Sequence, residues 1–541
     1  IMPKKVALKV QPRTGFDKSF QNLFTMQCGT LVPLMCDEVI PNTTVSLRAA
    51  ISASLPPLAS DTFMRVQLRT EAFFVPFRLL YGGYEAWQTQ RPIGPASDNQ
   101  AVPSMPQFYS ANNGSVPSTW FGNGTLADYL GFKFGNAAID GNRYSLLPFI
   151  AYHRIYDDWY RNPIIQKPLF YPYMSSRTRG QNYIEHMPFV SQETTSYTLA
   201  NSTARANLVF PDGVSVFEMR QRNFDDDYFT SCKPSPQLGP AQSVAFTVDS
   251  QDNGSITIAQ IREANSIQLY LERNNILSYR LQDYNKGQYG ADLKDGVAQR
   301  ALYLGSASFD VYSKGIYQTA ENVDASTATN NPFQGVGASY GSAHAGGDFG
   351  LIKNFTANES GYIFVMCSLV PKVTYGTGIN PMFKRYVGTG VDNRGDMANP
   401  ILQNIGNAPV YARELAIDAP HTQVFGYTDR YANFMVRNDE LHGLLAEGHS
   451  LESFALQRNF VPDTTDPDSI VISSSFLRIP TNYLDQVAAV TGAISEYGCW
   501  VDSWLDYKVA MPLARYSIPS LQNPAVEHGD TVVVTDGGSR I

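Results

Sequence analysis

Met64-Arg65-Val66-Gln67-Leu68-Arg69-Thr70-Glu71-Ala72-Phe73-Phe74-Val75-Pro76 is the stretch on which the fold turns. Met64, Val66 and Leu68 alternate with Arg65, Gln67 and Arg69, the period-two pattern of a half-buried β-strand. The run becomes wholly apolar at Ala72 to Val75 and stops at Pro76, which has no N–H for a ladder. Working outward, Thr30 to Ile40 is apolar and bounded by Gly29 and by Pro41-Asn42, so it reads as a second strand. Tyr362 to Val370 is nearly all apolar, as expected of a strand covered on both faces. Lys508 to Tyr516 reads as a last strand, stopped near Pro519.

Helices fall between these strands. A short one is expected around Leu79, Tyr84 and Trp87. The clearest runs from Leu147 to Tyr160. There Phe149, Tyr152, His153, Tyr156, Trp159 and Tyr160 recur at helical spacing, and Pro163 ends it. Such an aromatic stripe marks core or a subunit interface, and Phe149, Tyr152, Tyr156, Trp159 and Tyr160 are its candidates. A further helix is expected from Ile258 to Arg273. Thr257 and Gln260 form a capping-box pattern, and Ile258, Ile261, Ile267 and Leu271 supply a buried face. The connections are long. Residues 171–218 are polar and rich in Thr and Ser. Residues 318–350 are rich in Gly, Ala, Ser and Asn and read as a mobile loop. Loops of this length in a compact domain usually carry function. No internal repeat of fixed period occurs.

The chain has 541 residues, enough to bury a large core without metal or disulfide staples. Charged residues are 17% and aromatic residues 12%. Typical soluble domains carry about 25% charge. Interfaces lose charge and gain aromatic rings, so the composition points to a subunit of an assembly. The net charge of −8 argues against a chain built mainly as a nucleic-acid binder. Residues 1–16 are the local exception. Lys4, Lys5, Lys9 and Arg13 precede the first acid, Asp17, as in an arm laid on phosphates. This segment lacks the apolar core of a signal peptide. No apolar run approaches the roughly 18 residues of a transmembrane helix. Cys28, Cys36, Cys232, Cys367 and Cys499 form an odd set with no CxxC, which fits small buried hydrophobes in a reducing compartment.

Motifs for chemistry are weak. Gly337-Ala338-Ser339-Tyr340-Gly341 matches GxSxG but sits in a low-complexity stretch, not at a strand-to-helix turn. Asp225-Asp226-Asp227 reads as a solvated acidic turn more readily than as a cation site. The His residues are scattered without HExxH, and His442 and His449 are seven apart, a spacing that one helix face would allow, although surface placement is the simpler reading. No catalytic residue, metal site or cofactor pattern is assigned. Paired carboxylates converge in space and not along the chain. An extracellular β-rich carbohydrate-active enzyme or glycan-binding module therefore stands as the alternative reading.

Several blocks, in order, resemble the major capsid proteins of the Microviridae, small bacteriophages with circular single-stranded DNA, and most closely their gokushovirus-like branch. They are Phe16-Asp17-Lys18-Ser19-Phe20, Gly29-Thr30-Leu31-Val32-Pro33, Glu38-Val39-Ile40-Pro41 and Phe73-Phe74-Val75-Pro76-Phe77-Arg78. The helix Leu147-Pro148-Phe149 to Tyr156 follows, continuing through Trp159-Tyr160-Arg161-Asn162. Then come Asp227-Tyr228-Phe229-Thr230-Ser231, Tyr303-Leu304-Gly305 and Phe425-Gly426-Tyr427. The resemblance implies one mainly β domain over 1–541, an eight-stranded antiparallel viral jelly roll or β-sandwich with long interstrand insertions that hold a few helices. It implies a structural, non-enzymatic shell protein of a T=1 particle, on the order of 60 copies. The implied partners are the chain itself, packaged single-stranded DNA, a small basic DNA-binding or pilot virion protein, a scaffolding protein during assembly and a host surface receptor, without membrane insertion. The implied location is the virion, after synthesis in the bacterial host cytoplasm. Residues 171–218 and 318–350 are the candidate surface loops. Few residues separate Gly239-Pro240 from the helix near Thr257, so the protrusion that a long insert usually forms after the Pro-x-Pro-Gln block is short, absent or moved.

Overall fold

A computed structural model describes residues 13–60, 62–90, 104–109, 120–132, 143–170, 196–199, 208–237, 258–277, 280–296, 299–318, 339–384, 407–420, 423–429, 431–462, 469–490 and 492–513. Its strands, in chain order, are β1 (Thr14–Asp17), β2 (Phe20–Met26), β3 (Val32–Val39), β4 (Thr43–Ser54), β5 (Val66–Pro76), β6 (Gln107–Tyr109), β7 (Tyr144–Ser145) and β8 (Ser196–Thr198). They continue with β9 (Leu302–Asp310), β10 (Tyr312–Gln318), β11 (Ser339–Ala357), β12 (Gly361–Pro371), β13 (Asn407–Tyr411), β14 (Val424–Asp429) and β15 (Cys499–Met511). Two sheets dominate. One has the order β1-β15-β4-β11-β10, with β2 also on β15, and the other has the order β3-β12-β5-β9.

The pairing defines the topology. β2 pairs with β15, β3 with β12, β4 with β11, and β5 with β9, all antiparallel. Among these eight strands the first meets the last, the second meets the next-to-last, and so inward. The chain is thus one long hairpin rolled up so that alternate pairs fall in opposite sheets, which is the jelly-roll winding of a two-sheet sandwich. Its core is built from period-two faces. Val45, Leu47, Ala49, Ile51 and Ala53 of β4, and Val501, Leu505, Tyr507 and Val509 of β15, are buried with Leu68 and Phe74 of β5 and Ile363, Val365, Cys367 and Leu369 of β12. Arg48 and Ser52 point to water between the buried positions of β4.

All eleven residues of β12 are buried because its second face is covered too. Tyr362, Phe364 and Met366 belong to a second cluster, with Phe108, Phe217 and the helix α3 described below. The connection between β5 and β9 supplies that cover. It carries α1 (Tyr84–Thr89), α2 (Leu126–Tyr129), α3 (Leu147–Ile155), α4 (Ile258–Ile276) and α5 (Leu281–Tyr289). α3 runs on into a wide π turn over Tyr156–Tyr160, so the whole aromatic stripe is helical as its spacing predicts. A third cluster surrounds the β13-β14 hairpin, with Tyr228, Phe229, Phe425 and Phe476. Among the described residues no helix is long and apolar enough to cross a membrane.

Two loop expectations need correction. Residues 339–350, expected to be part of a mobile loop, lie in β11, which pairs with both β4 and β10. Their small side chains are a packing requirement. A Cβ on Gly347 would collide with the ring of Phe309, and one on Gly346 would meet Ile51 O at 2.9 Å. Within 171–218, Leu208, Phe210, Val216 and Phe217 are core residues of the second cluster and no surface loop. Residues 319–338, 171–195 and 200–207 lie outside the described residues.

Candidate assembly surfaces

The stripe of α3 and its π turn is built as core of the subunit. Phe149, Tyr152, Tyr156 and Tyr160 are buried, and Trp159 is half-buried against the same cluster. Three of its polar handles are used. Tyr152 Oη donates to Leu31 O at 2.8 Å and accepts from Arg220 N at 2.8 Å. Trp159 Nε1 donates to Ala301 O at 2.9 Å, and Tyr160 donates to Glu71. Burial, with the Glu71 carboxylate beside it, raises Tyr160 well above the usual phenol range, so it remains a donor.

A lattice of buried charge ties this insertion to the sandwich. Arg222 Nη1 reaches Glu71 Oε2 at 2.7 Å, both side chains being largely buried. Arg154 pairs with Asp158 at 3.0 Å, and Asp158 accepts Ala301 N at 2.9 Å. His153 is fully buried. Arg220 Nε donates to its Nδ1 at 2.9 Å, so Nε2 carries the proton and donates to Val216 O at 2.9 Å. Burial, then the neighbouring Arg220, hold its pKa well below the ordinary 6.5.

The basic arm falls mostly outside the described residues, which exclude Lys4, Lys5 and Lys9. Arg13 is described, and it is engaged. It donates to Thr44 Oγ1 at 2.8 Å and to Asn42 Oδ1, clasping the start of β1 to the sheet. The acidic triplet is divided among different partners. Asp225 pairs with Arg69 at 2.5 Å. Asp227 accepts Phe229 N, Thr230 N and Tyr375 Oη at 2.9, 2.7 and 2.7 Å. Burial and these two neighbours raise the Asp226 carboxyl. Among the described residues no group of three or more His, Cys, Asp or Glu could hold a metal ion. Ser339 of the GxSxG match opens β11. His442 precedes a three-residue 3-10 turn and lies 3.4 Å from Glu440, so the seven-residue spacing to His449 marks no helix face. The cysteines are free, and all but the half-exposed Cys36 are buried. Burial pushes the Cys367 and Cys499 thiols up to about 12.

The surface itself shows where the composition argument leads. α4 exists as its spacing predicts, but the expected buried face is exposed. Of that face Ile258 is 70% exposed, Ile261 52% and Ile267 41%, while Leu271 is half-buried; Leu269, outside it, is also exposed. Its C-terminal half is anchored through Asn275 to Ser235 O at 2.7 Å and Gln268 to Gln237. Residues 258–263 are exposed on every side. A helix of this length gains most of its stability from packing an apolar face, and among the described residues nothing covers the first turns. Periodicity located the helix but could not say which molecule would cover it. A second apolar surface borders a groove of about 800 Å3, with Met382, Phe383 and Val436 exposed along it.

Comparison with known proteins agrees with this architecture. The family model of the phage capsid protein (F protein) matches residues 5–250 and 242–521. The chain is also similar to capsid protein VP1 of Chlamydia phage 1, at 23% identity over 94% of this chain and 96% of that protein. It is similar to capsid protein VP1 of Bdellovibrio phage phiMH2K at 22% identity, over 94% and 95% of the two chains. Capsid protein VP1 of Spiroplasma virus 4 matches at 22% identity, over 94% and 96%. The family model covers nearly the whole chain, so this is a structural capsid protein, and the chain belongs to the phage capsid protein (F protein) family.

Proposed function

We propose that this capsid protein closes into a T=1 icosahedral shell, on the order of 60 copies, around a circular single-stranded DNA genome. The observation that carries the reading is the first half of α4, whose large aliphatic residues stand in solvent in the single subunit. A neighbouring copy is the cover that a shell provides. The first turns carry one cation and one anion, Arg262 and Glu263, so charge does not oppose contact between copies. Burial of this apolar area contributes about 25 cal/mol per Å2, less the ordering cost of association. A scaffolding protein, a small basic or pilot virion protein and a host surface receptor complete the proposed partners, with loops facing outward for attachment. The virion is its place of work after synthesis in the host cytoplasm.

Sedimentation and negative-stain microscopy of the purified protein test the reading. Closed particles of one size are expected, in the presence of scaffolding protein if the chain alone stays dissociated. A subunit that remains monomeric under both conditions, with a saturable sugar site, would return the reading to a glycan-binding module.

A further inference from the structure

α4 presents three sides. Ala264, Gln268 and Leu271 are half-buried and Asn275 is buried, so this side rests on the subunit. A second side holds α5. Tyr270 Oη stands 3.4 Å from Tyr284 Oη, and Gln288 Nε2 donates to Asn274 Oδ1 at 2.9 Å. The third side is open among the described residues. It is formed by Ile258, Ile261, Asn265 and Leu269, and all four are exposed. At roughly 3.6 residues per turn they fall within about 80° of one another, a single narrow stripe. The stripe carries no charge, and its one polar group is the amide of Asn265.

We infer that this stripe packs against the same stripe of a neighbouring copy across a rotation axis of the assembly, with the two Asn265 amides hydrogen-bonded to each other. The inference rests on the shell reading, which supplies the copies. Two features select the stripe itself as the occupant. Because it is uncharged, two copies meet without like-charge repulsion. Asn265 offers both a donor and an acceptor. Against an apolar wall it would be buried unpaired, at a cost, whereas a second Asn265 satisfies both groups. One polar residue in an apolar helical seam also fixes register and the number of helices that meet. The groove beside Met382, Phe383 and Val436 is the rival cover. A helix seated there would bury ion pairs, Arg437 with Glu440 at 3.3 Å and Lys372 with Asp439 at 3.3 Å, and their desolvation opposes it.

Cross-linking of assembled particles tests this, because a contact on a rotation axis brings a residue beside its own copy. Asn265→Cys is introduced together with Cys36→Ser, which removes the half-exposed native thiol. Particles are then oxidised with copper phenanthroline in air. A band of twice the subunit mass is expected, since a disulfide closes only where the two Cα atoms lie within about 7 Å. Glu263→Cys, on the far side of the helix, should give none. A second measurement uses charge. Asn265→Asp and Asn265→Lys should each lose particles, because each charge meets its like, and mixing the two before assembly should restore them. Closed Asn265→Cys particles without the doubled band overturn the inference. A doubled band that needs admixed Val436→Cys copies overturns it too, and assigns α4 to the groove. If the Cys variant forms no particles, wild-type yields from both charged variants overturn it. A wild-type chain that never forms particles fails the shell reading instead, and a doubled band in its folded subunits would keep the helix contact standing.

Discussion

His153 fixes a pH dependence. The folded chain holds it neutral, because Nδ1 is occupied by Arg220 and the ring is buried. The unfolded chain protonates it below about 6.5, so in that range the unfolded state binds more protons. Stability should therefore fall as pH drops from about 6.5 toward 5, and rise as pH returns. Denaturant titrations across this range should show a shallower pH slope for His153→Gln than for the wild type. An equal slope would mean that other groups set the response. Glu71 is a second test at this scale. Removing it leaves Arg222 buried without its counter-ion and takes the acceptor from Tyr160. Glu71→Ala should cost about 3 to 5 kcal/mol in denaturant unfolding. The double replacement Glu71→Leu/Arg222→Met should recover much of the loss, since the unpaired charge is gone as well.

At the scale of elements, what was readable followed from how each strand is covered. β5 and β12 announce themselves because one alternates and the other is apolar throughout, and the structure gives the reason in one open or lightly covered face against two buried ones. β11 was hidden by its own packing. Phe309 and the backbone of β4 press on Gly346 and Gly347, so the strand needs residues that look like loop composition. Gly347→Val should lower the melting temperature, and a neutral result would show that the Phe309 ring can move aside. Phe364 on β12 is fully buried against the insertion. Phe364→Ala should cost about 3 to 5 kcal/mol. α4 makes the opposite prediction. Ile261→Asp with Leu269→Asp alters side chains that are exposed in the subunit, so melting of the isolated subunit should change by less than about 0.5 kcal/mol equivalent. The same variant should sediment as subunits where the wild type forms particles. Particles of normal size would remove α4 from the shell contacts.

At the scale of the whole molecule, the roll of the sandwich is set by contacts that no local pattern contains. Arg161 and Arg478 meet in one cleft although 317 positions separate them (478 minus 161). The same distance explains why a scan for basic clusters finds the arm at 1–16 and misses the cleft. Many of the rings that the composition counts close the subunit's own second cluster, where Phe108, Phe217 and Phe364 are buried. The winding carries a consequence for timing. Asp17 of β1 pairs with Lys508 of β15, a separation of 491 positions (508 minus 17). At roughly 5 to 20 residues per second on a ribosome, the opening strands wait about 25 to 100 seconds for their partner. Until β15 emerges, the larger sheet has neither its central neighbour for β4 nor its anchor for β2. A half-made chain thus lacks the strand that joins β2 to β4, and the larger sheet can close only after residues 499–511 have been made.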